Sequence, residues 1–414
     1  MIKLALSSLL NRKNVLILIF LSLTLSVTLF LGVQRTKEIS RSSFSRTISG
    51  TDLIIGARTG QVNLILYSVF HMGRAVNNMG YDSYLDLASR DEVEWAVPLS
   101  LGDSYRGYRV VGTTNDYFSH YSYGGNQKLS LKSGDTFSTP FSVVLGASVA
   151  DEFQHKTGDN IIVSHGAGLN GMNEHDNLPF TVTAVLEKTG TPVDKSVFVP
   201  LEGITAIHLG WETGMQRRVV SQEQALSVNL EPEAVTSVLV GLKNRGAAFA
   251  FQRMVNDYAD EPLMAILPGA ALYELWGLMS TAETALTFIS AAVVVLGLIS
   301  LLTAQLAVMN QRRREMALFR SLGATPGQLF LLLFTESLLL TTAGCLSGMI
   351  LLYIIQTLLS VFMSSSGFYL SPALPSATEW LYFLLTLVSG TLTGVIPALT
   401  AYRNSLSDGM SIRN

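Results

Sequence analysis

Histidine and carboxylate side chains come together in one stretch of the chain, HGAGLNGMNEHDN at residues 165–177. His165 and His175 flank this stretch, and Glu174 and Asp176 stand on either side of the second histidine. Imidazole and carboxylate groups in such proximity could hold a divalent metal ion. Their spacing matches no closed metal-binding motif, however, so an ordinary surface loop is favoured. We therefore predict no metal site here.

Motifs for enzymatic chemistry are not found in the sequence. None of its lysines stands in the phosphate-cradling pattern G-x-x-x-x-G-K-[ST], and there is no H-E-x-x-H zinc motif. His71 ends an apolar helical stretch and is expected to be packed rather than catalytic. Aromatic and basic residues are not interleaved as a nucleic-acid surface would require. We predict a chain that is not an enzyme, has no catalytic residue, binds no cofactor itself and does not bind nucleic acid.

The composition points to a membrane protein. Of the 414 residues, 48% are hydrophobic and 14% are charged, whereas soluble proteins carry about 25% charged residues. About 20 apolar residues cross a bilayer as a helix, so four apolar runs predict four spans. The runs are residues 15–33, 285–308, 329–362 and 381–399.

The first run could instead be a cleaved signal peptide. Its apolar core is longer than the usual 7–15 residues, and no small-x-small cleavage site follows it, so a retained helix is favoured. The single cysteine, Cys345, lies within the third run, which excludes a disulfide framework and a cysteine-based metal cluster. The third run is too long for one simple crossing, and its far end is expected to leave the membrane.

Basic residues in the short links decide the orientation. The link between the second and third runs carries Arg312, Arg313, Arg314 and Arg320, whereas the link between the third and fourth runs has no lysine or arginine. Because basic short loops stay in the cytoplasm, both termini and the arginine link are predicted inside and the large segment after the first run outside.

The predicted organisation is a membrane protein with four transmembrane helices and a large α+β extracytoplasmic domain inserted between the first and second. The segments are a cytoplasmic amphipathic helix at 1–14, a first span at 15–35, an external domain with a stalk at 36–280, a second span at 281–308, a cytoplasmic helical link at 309–328, a third span with an outer extension at 329–362, a short external loop at 363–379, a fourth span at 380–400 and a cytoplasmic tail at 401–414. For residues 1–14, a plain extension of the first span is an equal alternative.

Within the large domain, extended and helical patterns alternate, which predicts mixed sheets. Extended patterns cover residues 51–57, 92–101, 108–114, 141–146, 159–166, 180–187 and 195–201. Helical patterns cover residues 60–72, 82–91, 148–155 and 247–261.

The sequence of the arginine link predicts a helix, a sharp break and a second helix. Gly323 suits the left-handed position just past a helix end. Thr325 can cap the next helix, with Pro326 in its first turn and Gln328 three residues after the cap, as in a capping box. We interpret this element as a docking knob; the alternative is a basic loop that only fixes orientation.

The stretch EMALFRSLGATPGQLFLLLFTESLLL, beginning at Glu315, resembles the signature of FtsX/MacB-type ABC transporter permeases. The resemblance covers the whole chain, and within the large domain VVLGASVADEF also matches; Phe319 departs from the leucine common at its position. Unlike the MacB arrangement with a fused ATPase, the chain resembles the split LolC/LolE-like or DevC-like permeases.

This resemblance implies an ABC ATPase subunit dimer as partner, with ATP and Mg²⁺ bound there, and a second permease copy forming a homodimer or a heterodimer. A periplasmic adaptor, a substrate-binding protein or lipoprotein, and membrane lipid are further expected partners. The residues expected to couple to the ATPase are Arg312, Arg313, Arg314, Glu315, Met316, Ala317, Arg320, Ser321, Leu322, Gly323, Ala324 and Thr325.

The last two runs contain three further features. Glu336 is costly at its membrane depth, so we favour intramembrane coupling over ion transport. The pairs Gly344/Gly348 and Gly390/Gly394 permit close helix packing, either within the chain or between two copies.

The expected function is that of an inner-membrane permease subunit. Motion of the periplasmic domain, driven by a separate ATPase, would export or extract a periplasmic or membrane-embedded substrate such as a lipoprotein, lipid, peptide or small amphiphile. The alternative is an FtsX-like mechanotransmitting regulator of a periplasmic enzyme; the size of the large domain favours transport. A secondary transporter would require broken or charged helices near the midplane, which are not evident.

Overall fold

A computed structural model describes residues 13–73, 75–165, 177–209, 220–364 and 374–400 of the chain. The chain divides into two compact units, which we call the α+β unit (residues 41–279) and the helical unit (residues 1–40 and 280–414). The amphipathic helix expected at 1–14, apart from its last two residues, and the tail expected at 401–414 fall outside the described residues.

Eleven α-helices are found in the described residues. They are α1 (Lys13–Ser45), α2 (Gln61–Ser68), α3 (Tyr81–Ala88), α4 (Asp116–His120), α5 (Ala147–Phe153), α6 (Leu201–His208), α7 (Gln222–Leu226), α8 (Ala248–Asn256), α9 (Pro268–Ser321), α10 (Pro326–Ser364) and α11 (Ala377–Thr393).

Fifteen strands accompany them. They are β1 (Leu53–Ala57), β2 (Met79–Gly80), β3 (Val93–Tyr105), β4 (Tyr108–Thr113), β5 (Ser122–Tyr123), β6 (Gln127–Lys128), β7 (Leu131–Gly134), β8 (Ser142–Leu145), β9 (Asn160–Ile161), β10 (Ser164–His165), β11 (Phe180–Leu186), β12 (Ser196–Pro200), β13 (Ala234–Val235), β14 (Ser237–Leu242) and β15 (Leu263–Ile266).

Four helices are long and apolar enough to cross a membrane. The qualifying segments are Leu16–Arg41, Pro268–Ala307, Pro326–Ser360 and Ala377–Thr400. Because about 20 residues suffice for one crossing, α9 and α10 are longer than a bilayer requires. The prediction of four apolar helices with a large mixed domain between the first and second is confirmed.

The α+β unit is built on one mixed sheet of eleven strands, with the order β15-β1-β14-β3-β4-β12-β8-β11-β7; β10 pairs with β3, and β9 pairs with β11. The pairs β4–β12 and β8–β11 are parallel. The other pairs along this order are antiparallel. Every extended pattern predicted from the sequence contributes a strand to this sheet, and the pattern at 159–166 is divided into β9 and β10.

Two strands near one end of the sheet were not predicted. Strand β14 is buried along its whole length between β1 and β3, so its apolar run shows no alternation. Its Gly241 is required by close packing, because a Cβ atom there would lie 2.1 Å from Nε1 of Trp95. Strand β15 has only four residues and lies at the sheet edge.

Side chains of α8 satisfy the backbone of the edge strand β15. The N–H of Ala265 donates to Oδ1 of Asn256 (2.9 Å), and the carbonyl of Ala265 accepts from Nε2 of Gln252 (2.9 Å). An open sheet edge is a template for pairing with other chains, so these amides block the edge by occupying its hydrogen-bonding groups.

Candidate functional site at the helix elbow

The end of α9 forms a defined turn rather than fraying. Gly323 has φ +94°, in the left-handed region. The N–H of Gly323 donates to the carbonyl of Arg320 (2.9 Å), and the N–H of Ala324 donates to the carbonyl of Phe319 (2.9 Å). These two bonds are those of a Schellman motif, which satisfies the last carbonyls of a helix. The position predicted for Gly323 is confirmed.

The start of α10 is fixed by the capping box predicted from the sequence. The N–H of Gln328 donates to Oγ1 of Thr325 (3.4 Å), and the N–H of Thr325 donates to Oε1 of Gln328 (2.9 Å). Pro326 opens the helix, where its missing N–H costs nothing. A C-terminal motif and an N-terminal cap therefore meet within a few residues. We call residues 312–328 the elbow.

The surface of the elbow is partly apolar. Leu318 and Leu322, four residues apart, are 64% and 83% exposed. Met316, by contrast, packs against a small cluster that contains Leu333 and Ala398. Met316 is therefore packed within the helical unit, whereas Leu318 and Leu322 are exposed.

The structure places the predicted coupling residues in two groups. The last turns of α9 hold Arg312, Arg313, Arg314, Glu315, Met316, Ala317, Arg320 and Ser321, and the break holds Leu322, Gly323, Ala324 and Thr325. Of Arg312–Glu315 and Ala317 only the helical backbone is described. The described part of the elbow is thus an ordered and partly apolar surface, and its role in coupling to an ATPase stays a prediction.

Glu336 lies on α10 and is only 7% exposed. The adjacent Ser337 donates from its hydroxyl to the carbonyl of Gly390 on α11 (3.2 Å). A carboxylate buried at this depth fits the expectation that it faces other helices, and its role in coupling remains a prediction.

Both glycine pairs lie at contacts between helices of the same chain. A Cβ at Gly344 would lie 2.6 Å from Leu23 on α1, and one at Gly348 would lie 2.9 Å from the Thr24 carbonyl. A Cβ at Gly390 of α11 would lie 2.4 Å from Thr341, and one at Gly394, just after α11, would lie 2.3 Å from Ser337; Thr341 and Ser337 are on α10. The structure thus places these glycines in packing within the chain, and a contact between two copies stays a prediction.

An ion pair inside the helical unit was missed at the sequence level. Nη1 of Arg35, on α1, lies 2.9 Å from Oε1 of Glu379, on α11, and both residues are buried. Tyr353, on α10, donates from its hydroxyl to Oε2 of Glu379 (3.1 Å). The available signal was the capping box in which Glu379 follows Ser376 by three residues, but nothing in the sequence pairs it with Arg35.

His71 is a buried histidine of the α+β unit. Burial, together with the positive charge of Arg109, lowers the pKa of His71 from 6.5 to about 3. Its Nδ1 lies 2.7 Å from Oγ of Ser196, and its ring packs edge-on against Phe198. His71 is packed, as predicted.

Among the described residues, no group of three or more histidine, cysteine, aspartate or glutamate side chains could hold a metal ion. The loop predicted at 165–177 lies mostly outside the described residues, including His175, Glu174 and Asp176.

Family models match two parts of the chain. The model described as FtsX-like permease C-terminal matches residues 287–406, and the model described as MacB-like periplasmic core domain matches residues 16–255. The first match includes the elbow, and the second covers more than half of the chain.

The chain is also similar to the Macrolide export ATP-binding/permease protein MacB of Nitrobacter winogradskyi, with 24% identity over 310 residues. That alignment covers 71% of this chain and 42% of the relative, so the chain spans less than half of the relative's length.

Two solved structures resemble the fold. The periplasmic region of MacB from Actinobacillus actinomycetemcomitans has 12% identity and a TM-score of 0.35, covering 55% of this chain and 94% of that one. The extracellular domain of the noncanonic ABC-type transporter YknZ from Gram-positive bacteria has 14% identity and a TM-score of 0.30, covering 52% of this chain and 99% of that one.

A MacB-like periplasmic domain between the first two of four apolar helices fits a multi-pass inner-membrane protein whose α+β unit lies in the periplasm. The match to the periplasmic core domain precedes the match to the permease C-terminal part along the chain, in agreement with the organisation predicted from the sequence. The chain belongs to the FtsX/MacB-like family and is an ABC-type permease subunit.

Proposed function

We propose that this permease subunit converts ATP hydrolysis on separate ATPase subunits into motion of its periplasmic α+β unit. In this proposal the ATPase dimer, with its ATP and Mg²⁺, binds the elbow of each of two permease copies. The motion expels or extracts a substrate from the periplasm or the outer leaflet, with a lipoprotein, lipid, peptide or small amphiphile as the classes considered. An adaptor or substrate-binding protein completes the path.

The observation that carries the proposal is the elbow. Its Schellman motif and capping box fix the backbone on both sides of Gly323, so Leu318 and Leu322 stay exposed on an ordered surface. A loop that served only to orient the chain would need basic residues alone. An ordered apolar surface beside an arginine cluster is the kind of feature that a protein partner can bind and push.

The length of α9 supports transmission over a distance. The helix runs without interruption for 54 residues, from Pro268 just after β15 to Ser321 at the elbow. At 1.5 Å per residue this corresponds to about 80 Å. A displacement at one end of a continuous helix is transmitted to its other end, whereas flexible links would absorb it.

The test uses the tagged chain, purified from the cells that naturally produce it as a complex with the ATPase that co-purifies with it. In Gly323→Leu, a side chain is forced into the left-handed region; in Glu315→Lys, the charge next to the arginines is reversed. We expect each to weaken ATPase binding by about tenfold or more, equivalent to about 1.4 kcal/mol. Gly277→Ala, on α9 and outside the elbow, is the control, because nothing lies within 4 Å of a Cβ at that position.

Unaltered ATPase binding and ATP turnover in both elbow variants would show that the elbow is not the coupling element. Transport and regulation are separated by what accompanies the complex. Lipid, lipoprotein or peptide that is released only when ATP is hydrolysed supports transport. A periplasmic hydrolase whose activity depends on ATP would instead establish the regulatory alternative.

A further inference from the structure

The outer end of α1 is held by a buried ion pair. Nη1 of Arg35 lies 2.9 Å from Oε1 of Glu379 and 3.4 Å from the hydroxyl of Tyr353. The guanidinium carbon also stands 5.6 Å from the centroid of the Tyr353 ring. One arginine on α1 thus binds groups on both α10 and α11.

Glu379 is itself fixed in place. It is 1% exposed, and its Oε2 accepts from the N–H of Ser376 (3.1 Å) and from the Tyr353 hydroxyl (3.1 Å). The same carboxylate therefore caps α11 and neutralises Arg35. A buried charge that loses its partner is strongly unfavourable, so the three groups hold one another in a single arrangement.

Along the rest of its membrane length, α1 is joined to α10. Oγ1 of Thr24 lies 2.7 Å from Oγ of Ser347, and Oγ1 of Thr28 donates to the carbonyl of Gly348 (3.0 Å). The glycines of α10 permit this close approach. We call this row of contacts the α1–α10 seam.

The α1–α10 seam lies between the elbow and the segment that leads into the α+β unit, so it can transmit a displacement from one to the other. Helix α10 begins at the elbow with Pro326, and α1 continues past the helical unit to Ser45, ahead of β1. A displacement of the elbow moves the inner end of α10 directly. Whether it also moves α1 depends on how firmly α1 is attached to α10 and α11.

We propose that Arg35 and Glu379 are positioning residues that clamp the outer end of α1 to α10 and α11, so that elbow motion reaches the α+β unit through α1 as well as through α9. This inference rests on the proposed function, since it concerns how the same displacement is transmitted.

The test follows motion and ATP turnover separately in the purified complex with its ATPase. All chains carry Cys345→Ala, and spin labels are placed on cysteines at Leu358 of α10 and Phe249 of α8, both exposed. The measured quantity is the change in label distance between the nucleotide-free and ATP-bound complex. Arg35→Gln and Glu379→Gln are compared with Thr36→Ala, an exposed neighbour whose hydroxyl bonds within its own helix.

We expect each clamp variant to keep the amount of complex and its basal ATP turnover but to reduce the distance change to less than half. A second chemical link should then restore it. Thr24→Cys with Ser347→Cys, added to Arg35→Gln, places two thiols where hydroxyls now lie 2.7 Å apart. In that chain the disulfide is formed first, and the exposed cysteines at Leu358 and Phe249 are then labelled with a maleimide spin label, whose thioether bond withstands reductant. The distance change is read before and after reduction.

Recovery of the distance change in the oxidised form, and its loss on reduction, supports the clamp; a role confined to folding would not respond to reductant in an assembled complex. An unaltered distance change in both single variants, or no recovery with the disulfide, overturns it. If Arg35→Gln does not accumulate, Arg35→Lys, which keeps the charge but not the planar donor set, is measured by the same criteria. Absence of any ATP-dependent change in the unmutated chain would refute the proposed function itself.

Discussion

Oγ1 of Thr28 donates a 3.0 Å hydrogen bond to the carbonyl oxygen of Gly348, at a point where a side chain on the glycine would collide with the facing helix. The single hydrogen of this hydroxyl is shared with the carbonyl of Thr24 on α1 (2.7 Å), as in a three-centre hydrogen bond. One threonine thereby joins two helices. This contact is the structural basis for the first of four predictions.

Gly348→Ala should destabilise the helical unit. The added Cβ would lie 2.9 Å from both the Thr24 carbonyl and Val27, so α1 and α10 must separate and the Thr28 bond must lengthen. We expect a loss of about 1–3 kcal/mol, measured as a lower melting temperature in detergent. Gly277→Ala on α9 is the matched control, because nothing lies within 4 Å of its Cβ. Equal melting temperatures for the two variants would contradict the close packing.

Asn256→Ala should weaken the blocked edge of the sheet. The N–H of Ala265 would lose its acceptor, at a cost of about 1–3 kcal/mol for a buried unsatisfied group. The uncovered edge should also promote association between copies, detected as larger species by light scattering. Arg253→Ala, on the same helix with an exposed side chain, should do neither. If both variants behave alike, the amides do not protect the edge.

The stability of the α+β unit should fall as the pH is lowered from about 6.5. His71 is neutral when folded because its pKa is lowered to about 3, whereas in the unfolded chain it takes up a proton near pH 6.5. Protons therefore favour the unfolded state between these values, at up to about 1.4 kcal/mol per pH unit, and His71 has no effect above this range.

His71→Asn provides the check on this pH dependence. The residue has φ +52°, which asparagine tolerates, and asparagine does not titrate. The decline in melting temperature between pH 6.5 and 5 should be shallower in the variant than in the unmutated chain. An identical decline in both would mean that other groups cause it.

Cysteine labelling should show that the two ends of α10 lie on opposite sides of the membrane. Leu322→Cys, at the elbow, should react with a membrane-impermeant maleimide only after the cells are permeabilised, and Leu374→Cys, ahead of α11, should react in intact cells. Both positions are highly exposed, and Cys345 is buried and contributes little background. Labelling of Leu322→Cys in intact cells would reverse the orientation and remove the basis for ATPase docking.

The elbow could be predicted from the sequence because its determinants are local. A left-handed glycine and a capping box each involve residues within a few positions of one another, and both are visible as Gly323 and Thr325-x-x-Gln328. Strand β11 was predicted for a similar reason, since apolar and polar residues alternate in its first half. The sequence does not show which apolar residues near the elbow pack inward, because Met316 is packed whereas Leu318 and Leu322 are exposed.

The clamp could not be predicted, because Arg35 and Glu379 are 344 positions apart. No periodicity or local motif relates residues at such a separation; their contact depends on how three helices pack. Strand β14 could not be predicted from the sequence for a related reason. It is buried on both faces, so its run of apolar residues does not distinguish a central strand from a short buried helix.

The bend between α9 and α10 is fixed by hydrogen bonds among its own residues and by the left-handed backbone of Gly323. A turn held by such local bonds does not need a bound partner to keep its backbone conformation. Under the proposed function, the ATPase would therefore meet the same surface throughout its cycle, and the conformational change would occur in the helices on either side of the turn.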